Sequence, residues 1–279
     1  MPGDTPWGKL TGVKILCPVP GYDWHFAMCE TLGLIPVPVP TNDDGPDMDQ
    51  VEALARDPLV KGMICVPMYG NPSGVTFSDA VVDRLAAMET AAKDFRIIWD
   101  NAYCVHHLYP DRRDHLNNIY EACEAAGHPD RVLMFTSTSK ITFAGGGVAA
   151  MAASPANIAR HAALLTYQLV CYDKVNQLRH VRYLKDKAHT LELMKRHAAF
   201  LAPKFAAVER ILTASLTESG FASWSHPVGG YFVSLDTMPG TAKRALALCA
   251  EAGVTMTPAG ATFPYGKDPQ DRNIRIAPS

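Results

Sequence analysis

Residues 62–103 read GMICVPMYGNPSGVTFSDAVVDRLAAMETAAKDFRIIWDNAY, and this stretch decides the fold class. The apolar runs GMICVP (62–67) and RIIWD (96–100) are typical of short buried strands, and the second run ends in an acid. Between them, residues 78–94 have the pattern of a helix, with Ser78 as its N-cap. A strand, a helix and a strand in this order indicate parallel strands with a helix covering the sheet.

The same alternation continues on both sides of this stretch. The other elements predicted in the first part of the chain are strands at 13–22, 34–40 and 131–137 and helices at 23–33, 47–57 and 115–127. Gly33 is the expected stop of the first helix, and the prolines of 34–40 favour an edge strand. The first 150 residues therefore predict an α/β fold with a mostly parallel sheet.

The character of the sequence changes after Pro155. From there to about Glu218 the pattern is almost wholly helical, and from Gly220 onward a small α/β unit follows, with strands at 229–236 and 273–278 and a helix at 241–253. The expected domains are a large α/β domain at 1–170, linking helices at 171–204 and a small C-terminal α/β domain at 205–279.

The composition is that of an ordinary globular protein. The 279 residues are 48% hydrophobic and 19% charged, and a net charge of -2 argues against nucleic-acid or anionic-membrane partners. No apolar run reaches the roughly 18 residues that span a bilayer. The seven cysteines are scattered without a CxxC pair, and MPGDTPWGKL (1–10) has no apolar h-region. We expect a reduced, cytoplasmic protein without structural zinc.

Polar side chains follow three of the predicted strands, where each strand ends. In a doubly wound sheet, ligands bind outside the carboxyl ends of the strands, so these side chains should converge on one crevice. They are Asn71 after the strand at 62–67, Asp100 and Tyr103 at the end of the strand at 96–100, and Ser137, Ser139 and Lys140 after the strand at 131–137.

An acid, a tyrosine, an amide and a lysine together suit a pyridine aldehyde cofactor. Its aldehyde requires a lysine for a Schiff base, which Lys140 supplies, and its ring nitrogen stays protonated beside a carboxylate such as Asp100. Asn71 and Tyr103 can donate hydrogen bonds to its phenolate oxygen. The set fits pyridoxal 5′-phosphate (PLP).

The hydroxyls and glycines around the lysine suit the phosphate of this cofactor. Ser137 and Ser139 supply hydroxyl groups, and the glycine-rich turn at 145–147 supplies backbone N–H groups. A solvated surface charge is the alternative for a lone lysine. A phosphate-loop nucleotide site is excluded, since it requires GxxxxGK[ST] and here the glycines follow Lys140.

Three motifs in order, NPSG (71–74), DNAY (100–103) and STSK (137–140), resemble those of fold-type-I PLP-dependent aminotransferases of class I/II. The phrases CPVPGYDWHF (17–26) and DGPDMD (44–49) are similar to a divergent aspartate-aminotransferase-like branch of that family. The resemblance covers essentially the whole chain. It implies a three-layer large domain with a mostly parallel sheet, plus a small C-terminal α/β domain.

The resemblance also assigns roles. It implies that Tyr22 stacks on the cofactor and that His25 buttresses the aspartate. It also implies that Arg275 clamps the substrate α-carboxylate and that Asn71 is a second substrate-binding residue. It implies that Lys140 is the Schiff-base lysine and proton shuttle. The implied catalytic set is Lys140, Asp100 and Tyr103. The implied cofactor-binding set is Tyr22, His25, Asn71, Asp100, Tyr103, Ser137, Ser139 and Lys140.

Two departures from the family pattern stand out. Relatives commonly carry a phosphate-binding arginine shortly after the lysine, whereas this chain has GGGV (145–148). Family members also have a further N-terminal segment with a Gly/Ser-rich helix N-terminus that cups the phosphate, and residues 1–12 do not contain it. The chain therefore looks like a shortened member of the family.

The implied function is amino-group transfer by a homodimer, from aspartate to 2-oxoglutarate. A PLP-dependent lyase on the same scaffold and a non-catalytic effector-sensing domain are the alternatives. Lys174 and Arg179 are further candidates for binding a distal substrate carboxylate. His106 and His107 suggest a metal, but neighbouring strand residues point to opposite faces and a third ligand is not evident, so no metal is expected.

Overall fold

The computed structural model describes residues 5–278, and within them the larger sheet has seven strands in the order β3-β2-β1-β4-β5-β6-β7. Its strands are β1 (Lys14–Val19), β2 (Ile35–Asn42), β3 (Gly45–Pro46), β4 (Val60–Cys65), β5 (Arg96–Asp100), β6 (Val132–Ser137) and β7 (Ala149–Ala153).

The five central strands of this sheet are parallel. β1 pairs with β2 on one side and β4 on the other, and β5 and β6 continue the parallel pairing. The two end strands, β3 and β7, pair antiparallel with β2 and β6. This confirms the predicted mostly parallel α/β sheet.

Helices connect the strands and form the outer layers. They are α1 (Asp23–Thr31), α2 (Met48–Leu54), α3 (Asp79–Ala87), α4 (Ile119–Ala125), α5 (Pro155–Gln168), α6 (Lys174–Leu184), α7 (Lys187–Leu216) and α8 (Ala242–Glu251). Several start at side-chain caps, as predicted for Ser78, whose hydroxyl accepts from the Val81 N–H. α4 begins later than the predicted 115, because Asn118 caps it.

The core lies on both faces of the sheet. On one face Val51, Leu85 and Ile119, from α2, α3 and α4, belong to a single buried cluster. On the other face Phe26 of α1 packs in a second cluster with Ile15 of β1. Helix, sheet and helix therefore form three layers. Among the residues that the structure describes, none of the helices is both long and apolar enough to cross a membrane.

A second, smaller sheet follows the helical segment. It is antiparallel in the order β10-β9-β8, with strands β8 (Ala222–Trp224), β9 (Val233–Thr237) and β10 (Asn273–Ile276). Hydrogen bonds between loops join it to the large sheet, including the bond from Gly21 N–H to Thr262 O at 2.8 Å. The division into two domains at 170 and 205 stays a prediction.

Candidate active site

The carboxyl ends of β4, β5 and β6 lie side by side, since these strands are parallel neighbours. Asp100 is the last residue of β5 and lies opposite Phe135 of β6. Asn71 follows β4, and Lys140 ends a short 3₁₀ turn directly after β6. The strand ends therefore bring Asn71, Asp100 and Lys140 to one edge of the sheet, as the sequence predicts.

The first turn of α1 meets Asp100. His25 is buried, and its Nε2 lies 3.2 Å from Asp100 Oδ2. The ring of Tyr22, the N-cap residue of α1, meets the His25 ring edge-on at 5.1 Å between centroids. The structure thus places all three side chains together. Burial, together with the charges of Asp23 and Asp100, raises the pKa of Tyr22 above its usual value.

Lys140 points at an aromatic face. Its Nζ lies 5.0 Å from the centroid of the Tyr103 ring. Tyr103 is buried, and burial raises the pKa of its phenol well above the usual value, with a further contribution from Asp100. The Tyr103 hydroxyl is therefore a protonated donor at any working pH.

Arg275 of β10 joins the small sheet to the same crevice. Its Nη1 donates to Asp23 Oδ1 at 2.9 Å and to Asn71 Oδ1 at 3.2 Å. Its Nε and Nη2 share Thr257 Oγ1 at 3.3 and 3.2 Å. The Arg275 guanidinium also lies over the Phe232 ring, 5.3 Å from its centroid. A positive charge is thus fixed beside Asn71, with all three of its nitrogens already hydrogen-bonded.

Ser137 and Ser139 belong to the turn that carries Lys140. The Ser137 hydroxyl accepts a hydrogen bond from the Ser139 N–H at 3.1 Å, which is a contact within the same turn. The loop after the lysine closes back on the turn, since Val148 N–H donates to the Thr138 hydroxyl at 2.8 Å. The structure gives neither serine a contact with Asp100, Asn71 or Arg275, and their role at a phosphate stays a prediction.

Gly147, in the glycine-rich loop after Lys140, packs tightly against the turn that carries the lysine. A Cβ atom on Gly147 would lie 2.8 Å from the Ser139 nitrogen and 2.9 Å from its Cα. Backbone atoms cannot move aside as the end of a flexible side chain can. Only glycine fits against Ser139 without a shift of the loop.

Sequence reasoning missed several residues that contact the site. His106 Nε2 and the Tyr231 hydroxyl each lie 3.1 Å from the Lys140 backbone oxygen. Asp23 and Thr257 hold Arg275, as described above. The sequence could have indicated one of these residues, Asp23, because it lies between Tyr22 and His25, two predicted site residues, in the first turn of α1.

The histidine pair lies outside the regular strands: His106 has no regular secondary structure, and His107 forms an isolated antiparallel β-bridge with Gly229, so the predicted strand around them is reduced to this bridge. They still point apart. His106 faces the Lys140 carbonyl, and His107 Nδ1 lies 2.7 Å from the Tyr69 hydroxyl.

Of the two further cations, Arg179 lines a cavity of about 420 Å³ with Thr142, Phe143 and His180. The Arg179 guanidinium lies 5.8 Å from the centroid of the Phe143 ring. Lys174 begins the same helix, α6. Neither has a described contact with Arg275 or Lys140, and their part in binding a substrate stays untested.

Known proteins with similar sequences and structures place the chain in one family. The sequence pattern of the aspartate amino-transferase family matches residues 1–279. A putative aminotransferase of Mycolicibacterium smegmatis is 53% identical over 275 residues, which are 98% of this chain and 64% of that protein. The crystal structure of an aspartate transaminase from Corynebacterium glutamicum superposes with a TM-score of 0.96 at 49% identity, covering 99% of this chain and 65% of that one.

A more distant structure shares the fold. LysN, an α-aminoadipate aminotransferase of Thermus thermophilus that was crystallised with N-(5′-phosphopyridoxyl)-L-leucine, superposes with a TM-score of 0.81 at 22% identity, covering 96% of this chain and 66% of that one. The chain thus spans less than two thirds of the length of its two more similar relatives. With a family pattern that matches from end to end and relatives near half identity, this chain belongs to the aspartate aminotransferase family, in the fold-type-I class of PLP-dependent enzymes.

Proposed function

We propose that this chain carries the reacting residues of a PLP-dependent aminotransferase that moves an amino group from aspartate to 2-oxoglutarate. One observation carries the proposal. The Lys140 amine, the His25–Asp100 pair and the Arg275 guanidinium lie around the ends of adjacent parallel strands. A lysine, a buttressed carboxylate and a carboxylate-binding cation are the groups that transamination requires.

The donor set fits PLP. Within residues 5–278 the Lys140 amine contacts the Tyr103 ring and forms no ion pair, so it would be available to hold the aldehyde carbon. Asp100 has about a quarter of its side chain exposed (27%) and would face the ring nitrogen while His25 occupies its Oδ2. The close approach of Gly147 to Ser139 keeps the loop backbone tight, which suits a phosphate held by N–H groups.

Each residue has a task in the proposed mechanism. Bound PLP would supply an electron sink for the α-carbon of the amino acid. The Lys140 amine would take the α-proton and return it to the cofactor carbon. Asp100, held by His25, would keep a proton on the ring nitrogen, and Tyr103 would donate to the phenolate oxygen. The raised pKa of Tyr103 supports its role as a donor.

Arg275 would hold the α-carboxylate of the substrate. Four of its five N–H groups already donate hydrogen bonds. The two on Nη1 donate to Asp23 and Asn71, and the one on Nε and one on Nη2 donate to Thr257. A bidentate carboxylate therefore has to displace one of these acceptors. Asp23, with 35% of its side chain exposed, has more room to move than the buried Asn71, and we propose that it is the acceptor that yields.

The substrates, location and assembly are also proposals. Aspartate is proposed as donor because the family and the Corynebacterium structure bear that name. The seven cysteines are all free thiols, which supports a reducing cytoplasm. A homodimer is supported by apolar side chains exposed on α5, α6 and the loop between them, namely Tyr167, Val170, Val175 and Val181.

Product analysis tests the proposal. Purified protein with PLP, aspartate and 2-oxoglutarate should form oxaloacetate and glutamate in equal amounts, and the Lys140→Ala variant should form neither. Release of ammonia and pyruvate from an amino acid with a β leaving group, such as serine, without formation of glutamate would assign β-elimination. Protein that binds PLP but forms no product from any dicarboxylic amino acid would contradict amino transfer by this chain.

A further inference from the structure

The backbone carbonyl of Lys140 is held by two side chains that are remote in sequence. Lys140 closes the 3₁₀ turn after β6, and its oxygen lies 3.1 Å from His106 Nε2 and 3.1 Å from the Tyr231 hydroxyl. A carbonyl oxygen accepts only, so both groups must donate. His106 follows β5, and Tyr231 leads into β9 of the small sheet. Two separate parts of the molecule thus meet at one atom of the lysine backbone.

His106 supplies its hydrogen bond without a charge. The side chain is buried, and burial lowers the pKa of its imidazole to about 4, so the ring is neutral. Its other nitrogen, Nδ1, is buried and has no partner among the described residues. With the proton on Nε2, the ring donates to the Lys140 carbonyl and adds no positive charge beside the amine. The rings of Tyr103 and Tyr231 lie 5.6 and 5.3 Å from it.

The backbone around Tyr231 is tied to the backbone around His106. Gly230 N–H donates to His106 O at 2.8 Å, and Leu108 N–H donates to Val228 O at 2.9 Å. Between them, a Cβ atom on Gly229 would lie 2.2 Å from the Tyr69 ring, so residues 228–230 fit closely against Tyr69. The two donors to Lys140 therefore keep a fixed position relative to each other.

The residue after Tyr231 contacts the other functional cation. The Phe232 ring lies 5.3 Å from the Arg275 guanidinium carbon and 6.5 Å from the Tyr103 ring. Consecutive side chains thus reach the Lys140 backbone and the Arg275 head group. One short segment therefore contacts both the Lys140 backbone and the Arg275 head group.

We propose that His106 and Tyr231 are positioning residues, which fix the Lys140 backbone through its carbonyl and so set the place of its amine relative to Arg275. This inference rests on the proposed function, because it gives the Lys140 amine a reaction to perform. It requires that loss of either donor slows capture of an aldehyde by Lys140, while a neutral donor in place of His106 preserves it.

The test measures capture of PLP at Lys140 in the full chain. PLP is added at limiting concentration, samples are reduced with borohydride at intervals, and the modified Lys140 peptide is quantified by mass spectrometry. His106→Leu and Tyr231→Phe should each slow capture of PLP by about fivefold to tenfold, because each removes one of the two hydrogen bonds that hold the Lys140 carbonyl. His106→Gln, which keeps a neutral N–H donor, should stay within about twofold of the wild type.

Matched controls separate positioning from general damage. His226 and Tyr265 are exposed or half-exposed side chains without a contact to Lys140, so His226→Leu and Tyr265→Phe should leave capture unchanged. Urea unfolding of every variant reports whether it is folded. Should His106→Leu fail to fold, the nearly isosteric Tyr231→Phe variant decides the question.

Folded His106→Leu and Tyr231→Phe proteins that capture PLP as fast as the controls would overturn the inference alone. A slow His106→Gln protein would overturn the hydrogen-bond role of His106. A wild-type protein that captures no PLP at Lys140 would overturn the proposed function, and this inference with it.

Discussion

The role of a single residue depends on which end of a strand it occupies. Asp94 precedes β5 and pairs with Lys61 at 2.8 Å, whereas Asp100 ends β5 and meets His25 in the candidate active site. We predict that Asp100→Asn lowers turnover on the order of a hundredfold, since an amide cannot hold a proton on the ring nitrogen. Asp94→Asn is the control and should lower stability but not turnover. Equal turnover in the two variants, measured at saturating PLP, would contradict this role for Asp100.

His106 makes a pH-dependent contribution to stability. Burial lowers the pKa of its imidazole from 6.5 to about 4 in the folded state. The unfolded chain therefore binds a proton on His106 more readily than the folded protein does. The stability that the neutral His106 contributes is fully present above pH 6.5 and is lost as the pH falls toward 4. We predict that this group removes about 3 kcal/mol of unfolding free energy over that interval, and that His106→Gln lacks this part of the loss. Urea titrations at pH 7.5 and 4.5 measure it, and identical acid losses in both proteins would refute it.

At the scale of elements, the conformation of the loop after β6 depends on Gly147, although this glycine does not have a positive φ angle. Gly147 has no room for a Cβ atom, which would lie 2.8 Å from the Ser139 nitrogen. We predict that Gly147→Ala shifts the 138–148 loop and weakens PLP binding about tenfold, with a loss of stability of about 1–3 kcal/mol. Gly8→Ala is the control, because a Cβ there meets nothing within 4 Å. Fluorescence titration with PLP gives both affinities, and equal values would contradict the packing argument.

Local sequence predicted most elements of the large sheet, because apolar runs and helix caps are local signals. Ser78 was expected to cap α3 and does so. β7 was missed, since its sequence AAMAA lacks the β-branched and aromatic residues typical of strands. Its place is decided by pairing with β6, a contact that local pattern does not encode.

The same distinction between local sequence signals and remote contacts applies to the candidate site. The positions of Asp100 and Lys140 after their strands were predictable, because parallel strands end at a common edge. The contacts of Asp23 with Arg275 and of Tyr231 with Lys140 span 252 and 91 residues, so no local pattern reports them. His106 lies just after the turn at 102–105, and its backbone carbonyl accepts a hydrogen bond from the remote Gly230 N–H.

At the scale of the whole molecule, Arg275 connects the small sheet with the large one. Through Nη1 it reaches Asp23 at the start of α1 and Asn71 beyond β4. Lysine keeps the charge but cannot make these bonds at once or bind a carboxylate through two N–H groups. We predict that Arg275→Lys raises KM for aspartate at least about tenfold, the loss of roughly one charge-assisted hydrogen bond.

The matched control for Arg275→Lys is Arg244→Lys, which alters an exposed ion pair with Glu251 on α8. Steady-state kinetics of both variants, with circular dichroism to verify folding, measures the effect. A KM unchanged in Arg275→Lys would show that the substrate carboxylate binds elsewhere.

The central claim is that Lys140 is the residue that holds the cofactor. The most direct measurement is to incubate the protein with PLP, reduce it with borohydride and locate the modified peptide by mass spectrometry, beside Lys140→Ala and the exposed-lysine control Lys195→Ala. The account predicts stoichiometric modification at Lys140 in the wild type and in Lys195→Ala, and none at position 140 in Lys140→Ala. Modification spread over surface lysines, or unchanged in Lys140→Ala, would contradict it.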